Sequence, residues 1–418
     1  MNTEAYHMTP FSKTGASARL KDYKLNTLLD ITKAINENSS REDLFVKFKE
    51  VLRENLMTGK MVLFMKEEDW IVAASFGVDL EGLDVDVERD LLGFREIMHI
   101  YLKPEPHLDL FDVVIPVLHK SQPLAFLLIG DIDEESLQIS PTIKHRPFIE
   151  TLTNIIVVAI ENKKLAKDQL RQEGIRKELE LASEMQNMLV PGTLPKNDKL
   201  QAAAYYQPHQ QVGGDYYDYI QTSDHEVVFC MADVSGKGIP AAFLMSNFQA
   251  YLRALIKRIP LFYLIQRLNR KVMESAKGQK YITMFIAQYD LNTRVLNYIN
   301  AGHNPPLLLT RNEDGVIQSE LLKIGCTGLG MFEDLPKVDE GSIGIPENAT
   351  LLCYTDGVVE LENEKGEEFG LDALIKLVAD NGNLSMDDLI EMIKTTLKNY
   401  KGHRPYIDDI ALLAAKFI

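Results

Sequence analysis

Hydrophobic positions in this chain change period along its length, and the changes mark its organisation. Leu25, Leu28, Leu29, Ile31 and Ile35 share one face of a 3.6-residue spiral and predict a helix, after a polar, flexible tail over residues 1–20. Ser40 followed by Asp43 reads as the N-cap of a second helix carrying Leu44, Phe45, Phe48, Val51 and Leu52. Strand-like runs come next. Residues 61–65 and 70–75 flank the polar 66–69, and 113–117 and 124–130 flank 118–123, so each pair predicts a hairpin. Helices, antiparallel strands and a closing helix make an α+β unit over residues 21–160.

From 151 to 189 there is no proline and no turn cluster. The stretch starts apolar and turns strongly charged, which predicts one long helix with a linker over residues 161–192. Ile175, Leu179, Ala182, Gln186 and Leu189 follow a 4-3-4-3 spacing, the a/d seam of a short coiled coil. This suits a homodimer paired through the linker; a helix packed on its own domain is the other reading. Pro191-Gly192 ends it. Beyond it, strands are predicted at 227–233, 282–289, 295–300, 306–309, 351–355 and 410–415. Helices are predicted at 241–259, 261–276, 371–380 and 387–399.

A length of 418 residues exceeds what a single compact core usually organises, in line with that division. The formal charge is −16, and both halves are acidic, which argues against binding to a nucleic-acid backbone. Three cysteines, Cys230, Cys326 and Cys353, offer neither a disulfide framework nor a zinc spacing and suit a reducing cytoplasm. The N-terminal residues have no apolar core and do not read as a secretory signal. No apolar run approaches the roughly 20 residues of a membrane span.

Four motifs place a carboxylate beside glycine or at a strand end: VGGDYYDY (212–219), MADVSGKG (231–238), YTDGVVE (354–360) and YIDDIALL (406–413). Singly, an Asp-Gly pair is most simply a turn. Together, acids without nitrogen or sulfur partners suit Mg²⁺ or Mn²⁺. A two-metal site could then be built with Asp215 as the bridging ligand and Asp233, Asp356 and Asp409 on individual ions.

VGGDYYDY, ADVSGKGIPAA, NAGHNPP, LLCYTDGVVE and DDIALL, in this order, resemble the RsbU/SpoIIE-type bacterial branch of the metal-dependent 2C-type protein phosphatases (PPM). ELELASEMQNMLVP resembles the helix leading into such domains. The resemblance implies an α-β-β-α sandwich over residues 193–418 that hydrolyses phosphoserine or phosphothreonine on a protein through a hydroxide bridging two Mn²⁺ or Mg²⁺ ions. It places the metal ligands on Asp215, Asp233, Asp356 and Asp409, with the backbone carbonyl of Val234 as a further ligand. It also implies a phosphorylated anti-anti-sigma (STAS) protein as substrate. A catalytically weak homologue acting as a signal-gated binding module is the alternative.

The chain departs from relatives in two places. The histidine that follows the second metal aspartate in eukaryotic 2C enzymes is absent from Asp233-Val234-Ser235-Gly236, leaving a metal-activated water or His303 to protonate the leaving group. For His303 a turn role is the simpler reading. Residues 326–331 read CTGLGM where many relatives have G-x-P-L-G. Asp218 and Asp408 read either as acids orienting waters or ligands, or as solvated turns. Gly213-Gly214-Asp215 also resembles the start of a GGDEF signature, but Tyr216-Tyr217 break it.

Arg253, Lys257, Arg258, Arg267, Arg270, Lys271, Lys277 and Lys280 stand against Glu274 alone, either as a dock for an acidic phosphoprotein or as the solvated face of two helices. Residues 21–160 resemble a GAF domain in pattern, with a PAS-like fold as runner-up. That makes them a regulatory sensor or a dimerisation scaffold.

Overall fold

The structure is a computed structural model and describes residues 13–56, 58–102, 105–130, 141–311 and 317–418. The chain divides into two compact units, 1–172 and 173–418. In the first, α1 (Lys13–Asn36) and α2 (Arg41–Glu50) precede β1 (Lys60–Lys66), β2 (Trp70–Phe76), β3 (Met98–His99), β4 (Val113–His119) and β5 (Gln122–Gly130). Residues 1–12 of the expected tail lie outside the described residues. Residues 13–20 of it are already part of α1.

Ser40 caps α2 as expected: its hydroxyl accepts from the Asp43 amide at 3.0 Å, and the Asp43 carboxylate accepts from the Ser40 amide at 3.3 Å. Val51 and Leu52 lie past the α-helix, in a wide π-type turn at Val51–Asn55, and are still buried. The antiparallel sheet has the order β2-β1-β5-β4-β3. The β4–β5 hairpin closes on Lys120-Ser121, both with positive φ (46° and 69°), which suits the twist of paired strands. Strand alternation divides the core. Met61, Leu63, Ile115 and Leu127 face Ile31, Leu44, Phe48 and Ile156 of the helices, whereas Val62, Phe64, Val114 and Phe126 face Leu91, Phe94, Leu108 and Phe111 of the connections.

Helix α3 (Pro141–Asn187) begins earlier than the pattern suggested, with Pro141 at its first position. After it, β6 (Leu200–Gln207), β7 (Tyr216–Gln221) and β8 (Glu226–Val234) lead to α4 (Ile239–Leu255) and α5 (Leu261–Ala276). Then come β9 (Ile282–Asp290), β10 (Val295–Ala301), β11 (Leu307–Arg311), β12 (Ile317–Leu321), β13 (Gly325–Cys326), β14 (Gly341–Gly344) and β15 (Ala349–Tyr354). A short α6 (Asp356–Val359), then α7 (Leu371–Asp380), α8 (Met386–Lys401) and β16 (Ile410–Phe417) complete the chain.

These strands form two sheets, β13-β10-β9-β8-β7, with β14 also on β10, and β12-β11-β15-β16-β6. Period-2 alternation again sorts the side chains. Phe229, Met231 and Phe285 meet Leu351, Cys353, Leu413 and Phe417 between the sheets. Val228, Cys230 and Ala232 face α4 and α5, and Leu352, Tyr354 and Leu412 face α7 and α8. The result is a helix-sheet-sheet-helix stack with three apolar seams. Among the described residues no helix is long and apolar enough to cross a membrane.

The lower end of the expected coiled-coil seam belongs to this second unit. Gln186 is buried on it, and Leu189 packs on the core under α4 and α5. Those two positions therefore face their own domain rather than a second helix. Ile175 remains exposed, as do Leu181, Met185 and Met188.

Candidate active site

Antiparallel register brings the first two acids together. Tyr216 pairs with Ala232 across β7 and β8, so Asp215 and Asp233, one step further, stand opposite each other at the strand ends. Like charges directly opposite are unfavourable, yet both carboxyls are well shielded from water and lie within hydrogen-bonding reach of each other. Burial, then Asp233 and Asp409, pushes the Asp215 carboxyl well above the usual carboxylate range, with the Thr355 hydroxyl partly offsetting this. Burial, then Asp356 and Asp408, raises Asp233 to about 7.

The other sheet supplies the second pair. Asp356 opens α6 directly after β15, and Asp409 precedes β16, which is paired with β15. Gly357 sits against the Asp409 carbonyl, where a Cβ would collide. Asp356 is raised as well, by burial first and then by Asp408.

The two sheet ends are joined by main-chain bonds. Asp409 accepts from the Gly214 amide at 2.6 Å, from Asp215 N–H at 3.4 Å and, through its other oxygen, from His209 N–H at 2.7 Å. Its carboxylate therefore holds the loop that presents Asp215, with lone pairs left over. Gly213 leaves no room for a side chain, since a Cβ would strike the Asp409 carboxylate and the Tyr206 hydroxyl. A Cβ on Gly214 would stand 2.9 Å from the Val234 carbonyl oxygen, which puts that expected ligand beside the same loop.

Among the described residues, no three His, Cys, Asp or Glu side chains are drawn into one tight ion shell. The acids form facing pairs instead. Asp215 Oδ2 is buried without a hydrogen-bond partner. An orphaned carboxylate oxygen among like charges that cannot all ionise together fits a hard divalent cation, and the donors are all oxygen.

Several neighbours were not legible as site residues. The Gln186 side chain donates to the Gly213 carbonyl at 2.7 Å and accepts from the Gly213 amide at 3.1 Å, clamping the loop from the end of α3. The Tyr206 hydroxyl is buried without a partner among Asp409, Asp215 and Asp233, and its acidity is suppressed by burial first. Lys237 pairs with Asp408 at 2.8 Å and donates to the Ile407 carbonyl, so Asp408 anchors a cation rather than a solvated turn. The SGKG sequence was the only signal for Lys237.

One expectation changes. Asp218 is neither a ligand-orienting acid nor a solvated turn: it is fully buried, held by Arg253 through two 2.7 Å bonds and by the Tyr216 hydroxyl. His303 is buried and neutral, its acidity shifted to about 4 by desolvation. Its Nδ1 lies 3.0 Å from Thr283 Oγ1 and its Nε2 is buried without a hydrogen-bond partner, while its backbone N–H donates to Asn300 Oδ1 at 2.8 Å, in keeping with the turn role. The CTGLGM departure is absorbed by the fold, since Gly330 N–H donates to Asn269 Oδ1 at 2.8 Å and Leu329 bridges to Ile282.

Residues 223–418 match the family described as Stage II sporulation protein E (SpoIIE). The match falls wholly within the C-terminal unit. Relatives include the phosphoserine phosphatase RsbU of Bacillus subtilis, 26% identical over 59% of this chain and 71% of RsbU. The phosphoserine phosphatase RsbP of the same organism is 28% identical over 56% of each chain. Protein IcfG of Synechocystis is 23% identical over 82% of this chain and 58% of its own. The chain thus spans little more than half of RsbP and IcfG. In fold, the chain is similar to the SiaA-PP2C domain of Pseudomonas aeruginosa, with a TM-score of 0.51 and 22% identity, over 60% of this chain and 98% of that one.

Proposed function

We propose that the SpoIIE-type domain hydrolyses phosphoserine or phosphothreonine on a protein, a phosphorylated anti-anti-sigma (STAS) protein in a partner-switching system, in the cytoplasm. The observation that carries this reading is the buried, unpartnered Asp215 facing Asp233 across the ends of β7 and β8, in a domain whose relatives include phosphoserine phosphatases. Asp215, Asp233, Asp356, Asp409 and the Val234 carbonyl would hold two Mn²⁺ or Mg²⁺ ions. When bound, such ions supply charge neutralisation at the phosphoryl group and an activated water.

The chain's own residues do the positioning. Asp409 and Gln186 fix the Gly213–Asp215 loop from opposite directions, and Thr355 ties Asp215 to β16 by accepting from Ala411 N–H at 2.9 Å. Lys237 keeps a positive charge beside Asp408 at the mouth of the cluster, where phosphate oxygens would arrive. Neither Cys230 nor Cys353 serves as a nucleophile, because burial holds both thiols protonated. The N-terminal unit serves as a GAF-like sensor, and the exposed Leu181 and Met185 of α3, with Met188 just past its end, pair the chain as a homodimer.

Phosphate release from a phosphoserine-bearing STAS protein tests the reading. Release should require Mn²⁺ or Mg²⁺ and fall by roughly 10³-fold in Asp356→Asn. Activity indifferent to that change, or none on any phosphoprotein, would move the reading to a binding module.

A further inference from the structure

Helix α5 is sharply two-sided. Leu261, Leu264, Ile265, Leu268 and Val272 are buried on the sheet, and the opposite side carries arginine and lysine. Between that side and α4 lies a cavity of about 380 Å³ walled by Tyr251, Tyr263, Arg267, Arg270 and Lys271, with Glu274 its one acid.

The basic stretch does not act as one patch. Arg253 is taken inward by Asp218, and Lys280 donates to the Ser235 carbonyl at 2.7 Å. Of the cations that remain, Arg267, Arg270 and Lys271 line the cavity. Arg267 has no acidic partner among the described residues. Arg270 reaches Asp334 only at 3.9 Å, with both side chains largely exposed, a pairing of little strength. Lys271 lies 3.5 Å from Glu274 and 5.3 Å from the centre of the Tyr251 ring. Phe262 stacks edge-on against Tyr263 at 5.4 Å and extends an aromatic rim.

We propose that this cavity docks an acidic segment of a protein partner, with carboxylates on the Arg267 and Arg270 guanidinium groups and an apolar side chain between the two tyrosines. A free phosphate would fill a small part of the volume and leave the aromatic walls idle. An anionic membrane would meet a chain of charge −16 and a recess rather than a convex basic face. The site is separate from the acidic cluster: Tyr251 stands thirteen residues along from Gly238, roughly 18–20 Å up α4. The inference does not depend on the phosphatase reading.

The test is fluorescence anisotropy of a labelled glutamate-rich decapeptide with one central phenylalanine, titrated with the full chain at physiological salt. Saturable binding is expected, weakened at least about tenfold in Arg267→Glu/Arg270→Glu and in the milder Arg267→Gln/Arg270→Gln. The exposed Lys398→Glu on α8 should leave it unchanged, with thermal melts confirming that every variant is folded. Equal binding by the arginine variants, an equal loss in Lys398→Glu, or no saturable binding to the wild type would overturn the proposal. So would displacement by inorganic phosphate at concentrations similar to the peptide, which would mark a free-anion site.

Discussion

Asp215 and Asp218 lie three residues apart, at and just beyond the start of β7, and are both buried, but their surroundings are opposite. Asp218 points to α4 and is fully answered by Arg253, the Tyr216 hydroxyl and the Tyr219 amide. Asp215 points to the strand ends and meets Asp233, with one oxygen unpartnered. Alternation sends neighbouring side chains to different faces, and the positions at which the two residues leave the strand decide the rest. A buried acid whose charge is satisfied belongs to the architecture. One that is left wanting a positive charge is the one the proposed function uses.

The sharpest way to break this contrast is to neutralise both acids. Asp215→Asn should lower phosphate release by roughly 10³-fold while raising the melting temperature of the metal-stripped protein, because it removes like-charge repulsion. Asp218→Asn should do the reverse, weakening the fold by about 3 kcal/mol in urea titration with a smaller effect on turnover, since it leaves Arg253 without its partner. If Asp215→Asn destabilised the stripped protein as much as Asp218→Asn, the distinction would be lost.

Acidity sharpens it next. In the folded chain Asp233 holds its proton up to about 7, against 3.8 unfolded. Between those values the folded form binds the extra proton, so this stabilisation is complete below about pH 4 and is lost as pH rises through 7. Calorimetry of chelator-treated protein should show the melting temperature falling from pH 5 to pH 7.5, by the equivalent of roughly 2 kcal/mol. Added Mn²⁺ should flatten that slope, and a slope insensitive to metal would contradict it.

The smallest effect is expected at Tyr206. Its hydroxyl is buried without a partner, so Tyr206→Phe should leave stability unchanged or slightly raised. If the hydroxyl orders water over the acids, turnover should drop by up to about tenfold. Destabilisation by this change would show that the hydroxyl has a partner in the folded chain.

The four acidic motifs were readable because glycine and strand-end aspartate are local signals, and the ends of β8 and β15 fell where apolar runs stopped. The role of Asp218 was not readable, because its partner Arg253 is 35 residues away on a helix whose charges look like solvated surface. Gln186 occupied a seam position, and its spacing suited a coiled coil as well as a clamp. Only the loop around Gly213, folded against it, separates the two. In the first unit the helices and hairpins followed from periodicity. The sheet order did not, since β3 has two residues and its pairing with β4 leaves no pattern in the sequence.

The cysteines carry a practical consequence. Cys230 lies in β8 and Cys353 in β15, one in each sheet, both fully buried with their thiols held protonated. Alkylating reagents added to the native domain can reach neither until its own sheet opens. Half-buried Cys326, its thiol raised to about 11, reports on the outer β13 edge. Mass-resolved pulse labelling would therefore time the opening of each layer separately in the unmodified chain, with no dye and no engineered probe.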